Sequence, residues 1–409
     1  MRNRIAGGKQ LVAILAVALT ALLLATACAP ATTTPPSGEN KVVQIGDLAC
    51  LTGGAATDDQ ARFMGVQDYV RYFNDEKGIP GVTIELVWRD TKTETAGFLS
   101  GYRMMADRGV PIIYTSLSAP LEAAMPQLEK DQIPFIAGAA SGALVYPPGW
   151  VFCITGTGGE AATAVLDYFM QNWQEERPPN LQFIVIDTAW GWLAAEEGTK
   201  YAEGIGFEVL PLEITPYVVL DSTPQLLRIK ERQADLVYMQ ALVTGMGPIL
   251  RDVERLGLLE TIQFSATELT TGKPLIEMAP VGVEGLLLPK AYPWFDETEI
   301  SGIKTMMDRQ LTYHRRAQES PPYMCGWVYA AVMCESVQRA LEEVGYENLD
   351  GAAVKRALES MKDFDVDGIM KITYGAEDRR GSCSYATYEV QGGSMVRVTD
   401  YREVPILVP

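Results

Sequence analysis

The sequence predicts an α/β fold of two lobes, each a mostly parallel sheet flanked by helices. Apolar, β-rich runs alternate with helical patterns after residue 40, and this alternation is typical of parallel strands joined by helical crossovers. About 370 residues follow residue 40. A single hydrophobic core rarely stabilises a chain of this length, so two lobes are expected. Ligands bind such sheets outside the carboxyl ends of the strands, so a site is expected in the turns that follow the strands.

Eight runs are predicted as strands because apolar and β-branched residues dominate them. They are Val42–Leu48, Val82–Trp88, Pro111–Tyr114, Pro134–Ala137, Phe183–Ile186, Leu236–Met239, Gln263–Phe264 and Val283–Leu288. Helices are predicted between them. Helical spacing is carried by Phe63, Val66, Val70 and Phe73, by Leu226 and Ile229, and by the Ala-rich segment Ala161–Phe169.

The N-terminal residues have the pattern of an export signal. Basic residues precede an apolar run, Leu11–Leu24, of about 14 residues, which is shorter than the roughly 20 that span a bilayer. Small residues follow it and end at Cys28. We therefore expect residues 1–27 to be a lipoprotein signal peptide and Cys28 to be lipidated as the first residue of the mature chain. Ordinary cleaved secretion and an uncleaved anchor are the alternatives.

Residues 28–40 are expected to form a tether between that lipid and the folded chain. The segment is rich in Thr and Pro and has no large apolar side chain to bury. Such a composition stays solvated and extended.

The charge balance argues against a nucleic-acid partner. The chain has 34 Lys and Arg against 52 Asp and Glu, a formal net charge of −18, and no cluster of basic residues interrupts this acidic background. Phosphate binding needs a basic footprint. The acidity fits a soluble surface outside the cell.

The motifs argue against an enzyme and against a resident cofactor. The chain has neither a P-loop nor a GxSxG nucleophile motif, and its single histidine, His314, lies in a basic, polar stretch. The glycine-rich segment Thr155–Gly159 lacks the spacing of a dinucleotide-binding loop. We expect neither catalysis nor a cofactor.

The cysteines after Cys28 do not have the spacing of a metal site. None of Cys50, Cys153, Cys325, Cys334 and Cys383 belongs to a CxxC pair, and with one histidine in the chain a structural zinc site is not expected. We expect mostly buried free thiols, with room for one disulfide.

The turns after three predicted strands are rich in glycine and small hydroxyl residues. They are Leu51–Gly54, Thr115–Pro120 and Gly138–Gly142. Such loops bring backbone N–H groups and hydroxyls to the start of a helix, where they converge on an anion such as a carboxylate. Helix capping alone would also explain each loop taken singly. Two such loops on neighbouring strands favour a shared site.

Seven motifs in order carry a resemblance along nearly the whole chain, from Val42 to about Val398. They read IGDLACLTG, SLSAP, FIAGAAS, DTAWGW, DSTPQLLRIKERQADLVYMQ, QFSATE and YMCGWVYAAV. This order resembles the type 1 periplasmic binding proteins of ABC importers, and within them the branch that binds leucine, isoleucine and valine.

The resemblance implies two lobes that close over a ligand and are joined by three crossover strands. The crossovers are expected near Thr155–Gly158, Leu288–Tyr292 and Val366–Gly368. Residues 41–155 and 291–366 would then form lobe 1, and residues 156–290 and 367–409 would form lobe 2.

The resemblance also implies a site for an α-amino acid. Ser118, beside Ala119, and Ser141 would bind the carboxylate through their hydroxyls and nearby backbone N–H groups, and the Ala139 carbonyl would accept an ammonium proton. Glu268, from the second lobe, would pair with the ammonium, since a carboxylate suits an amine cation in a desolvated site. A surface glutamate is the alternative for Glu268.

Three further residues are candidates for the walls of that site. Trp190 falls where relatives place an aromatic that covers the ligand, although a core tryptophan is the alternative. Leu242 stands where the valine-type site has a second aromatic. Asp58 follows the first strand, where it either faces a ligand with an extra positive or hydrogen-bonding group or caps a helix. Tyr292 and Trp294 either line the cleft or pack the hinge.

The function implied by the resemblance is that of an extracytoplasmic solute-binding lipoprotein of an ABC importer. It would capture an amino acid or an amino-acid-like molecule and deliver it to a permease with ATPase subunits, as a monomer anchored to the cell envelope membrane by its lipid. A sensory or regulatory receptor of the same fold, or a transport receptor for short amides, urea or aromatic acids, is the alternative. An exported hydrolase is a third possibility, which recovery of unchanged ligand would exclude.

Overall fold

Two sheets with helices packed against them organise the chain in the computed structural model. The structure describes residues 40–138, 140–268, 272–314 and 319–407. The signal-peptide segment, Cys28 and all but the last residue of the predicted tether lie outside these residues. Within the described ranges, no helix is both long enough and apolar enough to cross a bilayer.

The secondary structure alternates between strands and helices for most of the chain. The strands are β1 Lys41–Ala49, β2 Val82–Asp90, β3 Ile113–Thr115, β4 Phe135–Ala137, β5 Val151–Thr155, β6 Asn180–Ile186, β7 Glu208–Val209, β8 Glu213–Thr215, β9 Leu236–Gln240, β10 Gln263–Ala266, β11 Leu287–Lys290, β12 Phe364–Asp365, β13 Lys371–Ile372, β14 Arg380–Ser382, β15 Ser384–Gln391, β16 Ser394–Arg397 and β17 Arg402–Glu403. The helices are α1 Ala56–Tyr72, α2 Thr95–Asp107, α3 Ser118–Asp131, α4 Gly142–Val145, α5 Gly158–Asn172, α6 Ala189–Ile205, α7 Thr223–Glu231, α8 Val243–Arg255, α9 Lys273–Met278, α10 Ser301–His314, α11 Pro321–Val344 and α12 Gly351–Glu359.

The first sheet is parallel throughout and has the order β14-β5-β4-β3-β1-β2. The second sheet has the order β16-β15-β11-β10-β9-β6-β7, with β8 beside β6 and β17 beside β15. It is parallel from β11 to β7, and β15 joins it antiparallel to β11. The predicted α/β class of two mostly parallel sheets is therefore confirmed.

The predicted strands all overlap observed ones, and one is displaced. The run Val283–Leu288 was expected as a strand, but β11 begins only at Leu287 because residues 281–285 form turns. The strands after residue 363 were not predicted. They are short or, like β15, alternate apolar and polar residues at the antiparallel side of the second sheet.

The chain crosses between the sheets three times, and the third crossing differs from the prediction. After β5 the chain starts α5 against the second sheet, and after β11 it returns to the first. The prediction of a third crossing at Val366–Gly368 is wrong. Residues 367–382 stay with the first sheet because β14 pairs with β5, with Arg380 opposite Cys153 and Ser382 opposite Thr155. The first lobe is therefore 41–155 with 291–382, and the second lobe is 156–290 with 383–407.

Helices α1 and α11 cross at backbone contact in the centre of the first lobe. A Cβ atom added at Gly65 would lie 2.1 Å from the carbonyl oxygen of Tyr323, and one at Gly326 would lie 1.9 Å from that of Arg62. Only glycine allows this separation. The rings of Tyr69 and Trp327 meet edge to face beside the crossing, with centroids 5.1 Å apart.

The five cysteines in the described part of the chain are free thiols, so the alternative of one disulfide is not realised. Four are buried and Cys383 is half-buried. Burial raises the pKa of the Cys50 thiol to about 12, which keeps it protonated and unreactive at neutral pH.

We predict that Gly326→Ala destabilises the protein by about 1–3 kcal/mol, because the added methyl group overpacks the α1–α11 crossing. Gly204→Ala is the matched control, since Gly204 lies in α6 with no heavy atom within 4 Å of an added Cβ atom. It should be neutral or stabilising by about 0.5–1 kcal/mol, as alanine favours a helix over glycine. Denaturant unfolding of both variants measures the difference, and equal stabilities would contradict the role of the crossing.

Candidate functional site

A cavity of about 350 Å³ lies between the two lobes. Its walls come from residues that follow the carboxyl ends of strands in both sheets, which is where a parallel sheet positions ligands. The first lobe contributes Ala55, Asp58, Arg62, Thr93, Thr95, Ser116, Leu117, Ser118, Ala119, Pro120 and Gly138. The second lobe contributes Ile186, Asp187, Thr188, Ala189, Trp190, Tyr217 and Leu242.

The N-terminus of α3 forms one wall of the cavity. Leu117 is extended after β3, and α3 begins at Ser118, whose side chain is buried at the cavity surface. The first N–H groups of a helix have no partner within the helix and carry the positive end of its dipole. Pro120 has no N–H, so Ser118 and Ala119 provide the donors here. This wall can bind an anion such as a carboxylate.

The opposite wall is the start of α6. The Thr188 hydroxyl caps the helix by accepting a hydrogen bond from the Gly191 N–H at 3.2 Å. This turn brings Trp190 into the cavity wall, where it is 9 % exposed, whereas Trp192 is 43 % exposed and donates to Asp187. Trp190 therefore covers the cavity rather than filling a core away from it.

Leu242 and Tyr217 extend this wall of the second lobe. Leu242 is half-buried directly before α8, and the Thr244 hydroxyl holds the Tyr217 carbonyl at 2.9 Å. A Cβ atom added at Gly54 in the first lobe would come within 3.3 Å of the Tyr217 ring, so Tyr217 also closes one edge of the cleft. The wall is largely apolar.

Asp58 and Arg62 bring opposite charges into the cavity from α1. They are four residues apart on one face of the helix and are 5 % and 6 % exposed. The helix starts at Ala56, so the interpretation of Asp58 as a cap preceding the helix is wrong. The backbone N–H of Val243 in the second lobe lies near the Asp58 carboxylate and favours its ionised form, which lowers the pKa of Asp58. Burial raises the pKa of Asp58 to about 7, against the opposing effect of Arg62.

Asp59 fixes the start of α1 beneath the cavity. Its carboxylate accepts hydrogen bonds from the Cys50 N–H at the end of β1 and from the Arg62 guanidinium. The nearby Asp47 is fully buried, and burial raises its pKa well above the usual range, which favours the neutral acid.

Glu268 is not among the described residues that line the cavity, and its contact with a ligand's ammonium stays a prediction. It is buried, and its Oε1 atom accepts a hydrogen bond from the Thr155 hydroxyl at 3.2 Å. The Lys290 ammonium donates to the Glu268 carbonyl at 2.7 Å, and its charge opposes the rise that burial causes in the pKa of Glu268. The Glu268 Oε2 atom is buried and has no hydrogen-bond partner among the described residues. Because Glu268 is buried, the alternative of a surface glutamate is wrong.

Ser141 likewise lies away from the cavity lining. Its buried hydroxyl donates a hydrogen bond to the Glu122 carboxylate, so it is occupied by an internal acceptor. Ala139, predicted to accept an ammonium proton, lies outside the described residues. Tyr292 and Trp294 are buried in the core, where the Lys290 ammonium lies 5.6 and 5.2 Å from their ring centroids.

Sequence reasoning missed Arg62 and Tyr217 in the cavity wall, whereas Ser116 lies in the predicted turn Thr115–Pro120. Helical spacing could have identified Arg62, since it comes four residues after Asp58 in a segment already predicted as a helix. Tyr217 follows the short strand β8, which has no strong sequence signal. Groups of three or more potential metal ligands are not found within the described ranges.

Comparison with known proteins places the chain among proteins of this architecture. A family model for periplasmic binding proteins matches residues 42–394. No curated protein sequence matches significantly. A branched-chain amino acid ABC transporter protein of Thermus thermophilus, solved with bound valine, is 23% identical, with a TM-score of 0.83 over 90% of this chain and 98% of its own.

Two further solved structures are similar at lower identity. A fatty acid ABC transporter substrate-binding protein of Thermomonospora curvata is 19% identical, with a TM-score of 0.79 over 91% of this chain and 96% of its own. A leucine-binding protein of Thermotoga maritima is 18% identical, with a TM-score of 0.71 over 88% of this chain and 98% of its own. At these identities the structures establish a shared fold. Because the family model spans most of the sequence and the fold is shared along it, the chain belongs to the periplasmic binding protein family.

Proposed function

We propose that the protein is an extracytoplasmic solute-binding component of an ABC importer, which captures an amino acid or an amino-acid-like molecule between its lobes and delivers it to a permease. The observation that carries this proposal is the cavity itself. It is enclosed by the carboxyl ends of both sheets, and it combines an anion-binding helix N-terminus with buried opposite charges and an apolar cover.

The two kinds of wall suit a molecule with a charged end and an apolar body. The α3 N-terminus, with Ser118 and Ala119, would accept a carboxylate, since its donors and its dipole both favour negative charge. Trp190, Tyr217 and Leu242 would enclose the apolar part. Pockets of a few hundred cubic ångströms with few polar groups in an apolar lining are typical of small-molecule sites.

Capture and release require movement at the three crossings between the lobes. Few residues need to change conformation in such a hinge. Binding would be reversible and without chemical turnover, and the ATPase subunits of the transporter would supply the energy of transport. The proposal includes a lipid at Cys28, which would keep the receptor at the membrane that carries the permease.

Thermal unfolding of the chain without its first 28 residues tests the ligand class. A compound at about 100 times its dissociation constant should stabilise the folded state by about 2.7 kcal/mol. The panel holds the twenty standard amino acids, short amides, urea and aromatic carboxylates. We expect the largest shift with an amino acid. Shifts confined to compounds that lack an amine would contradict the proposal of an amino-acid ligand.

Trp190→Ala should weaken binding of the amino acid found in that panel by about tenfold or more, because about 1.4 kcal/mol of lost contact is tenfold in affinity. Trp192→Ala is the matched control, two residues along the same helix and largely exposed. It should leave the affinity unchanged in isothermal titration. Equal effects of the two substitutions would show that Trp190 does not cover the ligand.

Replacing Cys28 with serine tests the membrane anchor. We expect the unmodified chain to partition into the membrane fraction of the producing bacterium and the Cys28→Ser variant to leave it, since the acyl chains provide the anchoring energy. Cys383→Ser is the control, because this cysteine lies in the folded part of the chain. A variant at Cys28 that stays membrane-bound would overturn the proposed lipid anchor.

A further inference from the structure

The cavity holds two buried side chains, one acidic and one basic, that form no ion pair with each other. Asp58 and Arg62 lie on one face of α1 and both line the cavity. Among the described residues the ion-pair partner of Arg62 is Asp59, on the protein side of the helix. Buried charges normally find a partner, since an isolated one is costly. The cavity side of this pair is therefore suited to a ligand that brings complementary charges.

The guanidinium of Arg62 has N–H donors that Asp59 does not use. Its Nη1 atom donates to Asp59, whereas its Nε atom is buried and has no hydrogen-bond partner within the described part of the chain. A guanidinium offers five N–H donors in a planar fork that fits a carboxylate. The side chain is more than nine-tenths buried and faces the cavity. Its remaining donors match an anionic group that enters there.

Arg62 is also held in place before any ligand arrives. Its backbone carbonyl lies at the α1–α11 crossing, where Gly326 permits contact. Its guanidinium is held by Asp59, which in turn accepts the Cys50 N–H at the end of β1. A preorganised donor loses little conformational freedom on binding.

Asp58 provides the opposite charge one helical turn away. The Val243 N–H of the second lobe lies near its carboxylate, and a carboxylate has about four lone-pair positions, so acceptor capacity is left for a ligand. The charged groups that act on Asp58 are Arg62 and Asp59, both on α1. The backbone at the start of α8 faces it from the second lobe, and Asp187 lines the same cavity. The position fits an ammonium group.

We propose that Asp58 and Arg62 bind the zwitterionic head of an α-amino acid, Asp58 contacting the ammonium and Arg62 sharing the carboxylate with the α3 donors. The inference rests on the proposed function and assigns the head-group contact to α1 of the first lobe instead of Glu268. The charges of the two side chains, one turn apart, correspond to the adjacent opposite charges of such a ligand.

The test uses three compounds built on the amino acid with the largest thermal shift: the amino acid, its carboxamide and its deaminated acid. For leucine these are leucine, leucinamide and 4-methylpentanoate. Isothermal titration is done with the wild type, Asp58→Asn and Arg62→Gln. Asp58→Asn should weaken binding of the amino acid about 10- to 100-fold, because the ammonium loses its carboxylate partner. Binding of the deaminated acid should be nearly unchanged, because this compound has no ammonium.

Arg62→Gln should weaken binding of the amino acid and of the deaminated acid by a similar factor, and leave the carboxamide nearly unchanged. Arg62→Lys keeps the charge without the planar fork and should be intermediate for the amino acid. It also provides a test if Arg62→Gln does not fold. Thermal unfolding without ligand verifies that each variant is folded.

A second measurement follows the proton on Asp58. Burial raises the pKa of Asp58 to about 7, so the carboxyl is largely protonated near pH 6 without ligand. A bound ammonium favours the carboxylate and expels this proton. The affinity for the amino acid should therefore rise from pH 5.5 to pH 8, with proton release detected by titration in buffers of different ionisation enthalpy. Asp58→Asn should abolish both effects.

The outcomes separate this inference from the proposed function. If an amino acid binds the wild type but Asp58→Asn weakens it and its deaminated acid equally, Asp58 is structural and the inference is overturned while the proposed function stands. If no amino acid binds the wild type, both are overturned. The inference is supported if Asp58→Asn weakens only the compounds that carry the ammonium and Arg62→Gln weakens only the compounds that carry the carboxylate.

Discussion

The backbone contact between α1 and α11 is the constraint on which the rest of the first lobe depends. Gly65 and Gly326 let the two helices meet without intervening side chains, and α11 is buried over most of its length. The contact fixes where the first turn of α1 projects beyond β1. Asp59 then ties that turn to the end of the strand. The charged groups of the cavity thus occupy positions set by the core, because a packed interior resists small displacements.

A second constraint acts where the chain passes between the lobes. Glu160 forms a capping box with Thr157 at the start of α5 and pairs with Arg380 on β14 in the first lobe. The same carboxylate accepts the Leu407 N–H. Both charged groups are buried, so their desolvation offsets much of the attraction between them. The network instead fixes which segments meet at the crossing, and it holds β14 beside β5 until the chain leaves the first sheet at Cys383.

Sequence patterns were sufficient to predict the alternation of strands and helices, because the strands of a parallel sheet buried on both faces are continuous apolar runs. They also located the turn that contributes Ser118 to the cavity wall, whereas Trp190 and Leu242 were implied by the resemblance to a known family. Neither these patterns nor the resemblance was sufficient where the structure depends on partners distant in sequence. The third crossing was misplaced because β14 is a short polar strand whose position depends on β5. The buried position of Glu268 depends on contacts with Lys290 and Thr155. These residues are distant from Glu268 in sequence, so no local pattern predicts the contacts.

The two lobes contribute unequally to the cavity, and this difference bears on how a ligand would be held. The first lobe supplies Asp58, Arg62 and the α3 donors, whereas the second supplies the apolar surfaces of Trp190, Tyr217 and Leu242. Burying charge is favourable only when partners are already in place, while burying apolar surface gains from any exclusion of water. A rigid first lobe can therefore provide orientation, and closure of the second lobe can provide desolvation. The Val243 N–H of the second lobe lies near the Asp58 carboxylate, so the two lobes meet at the charged side of the cavity.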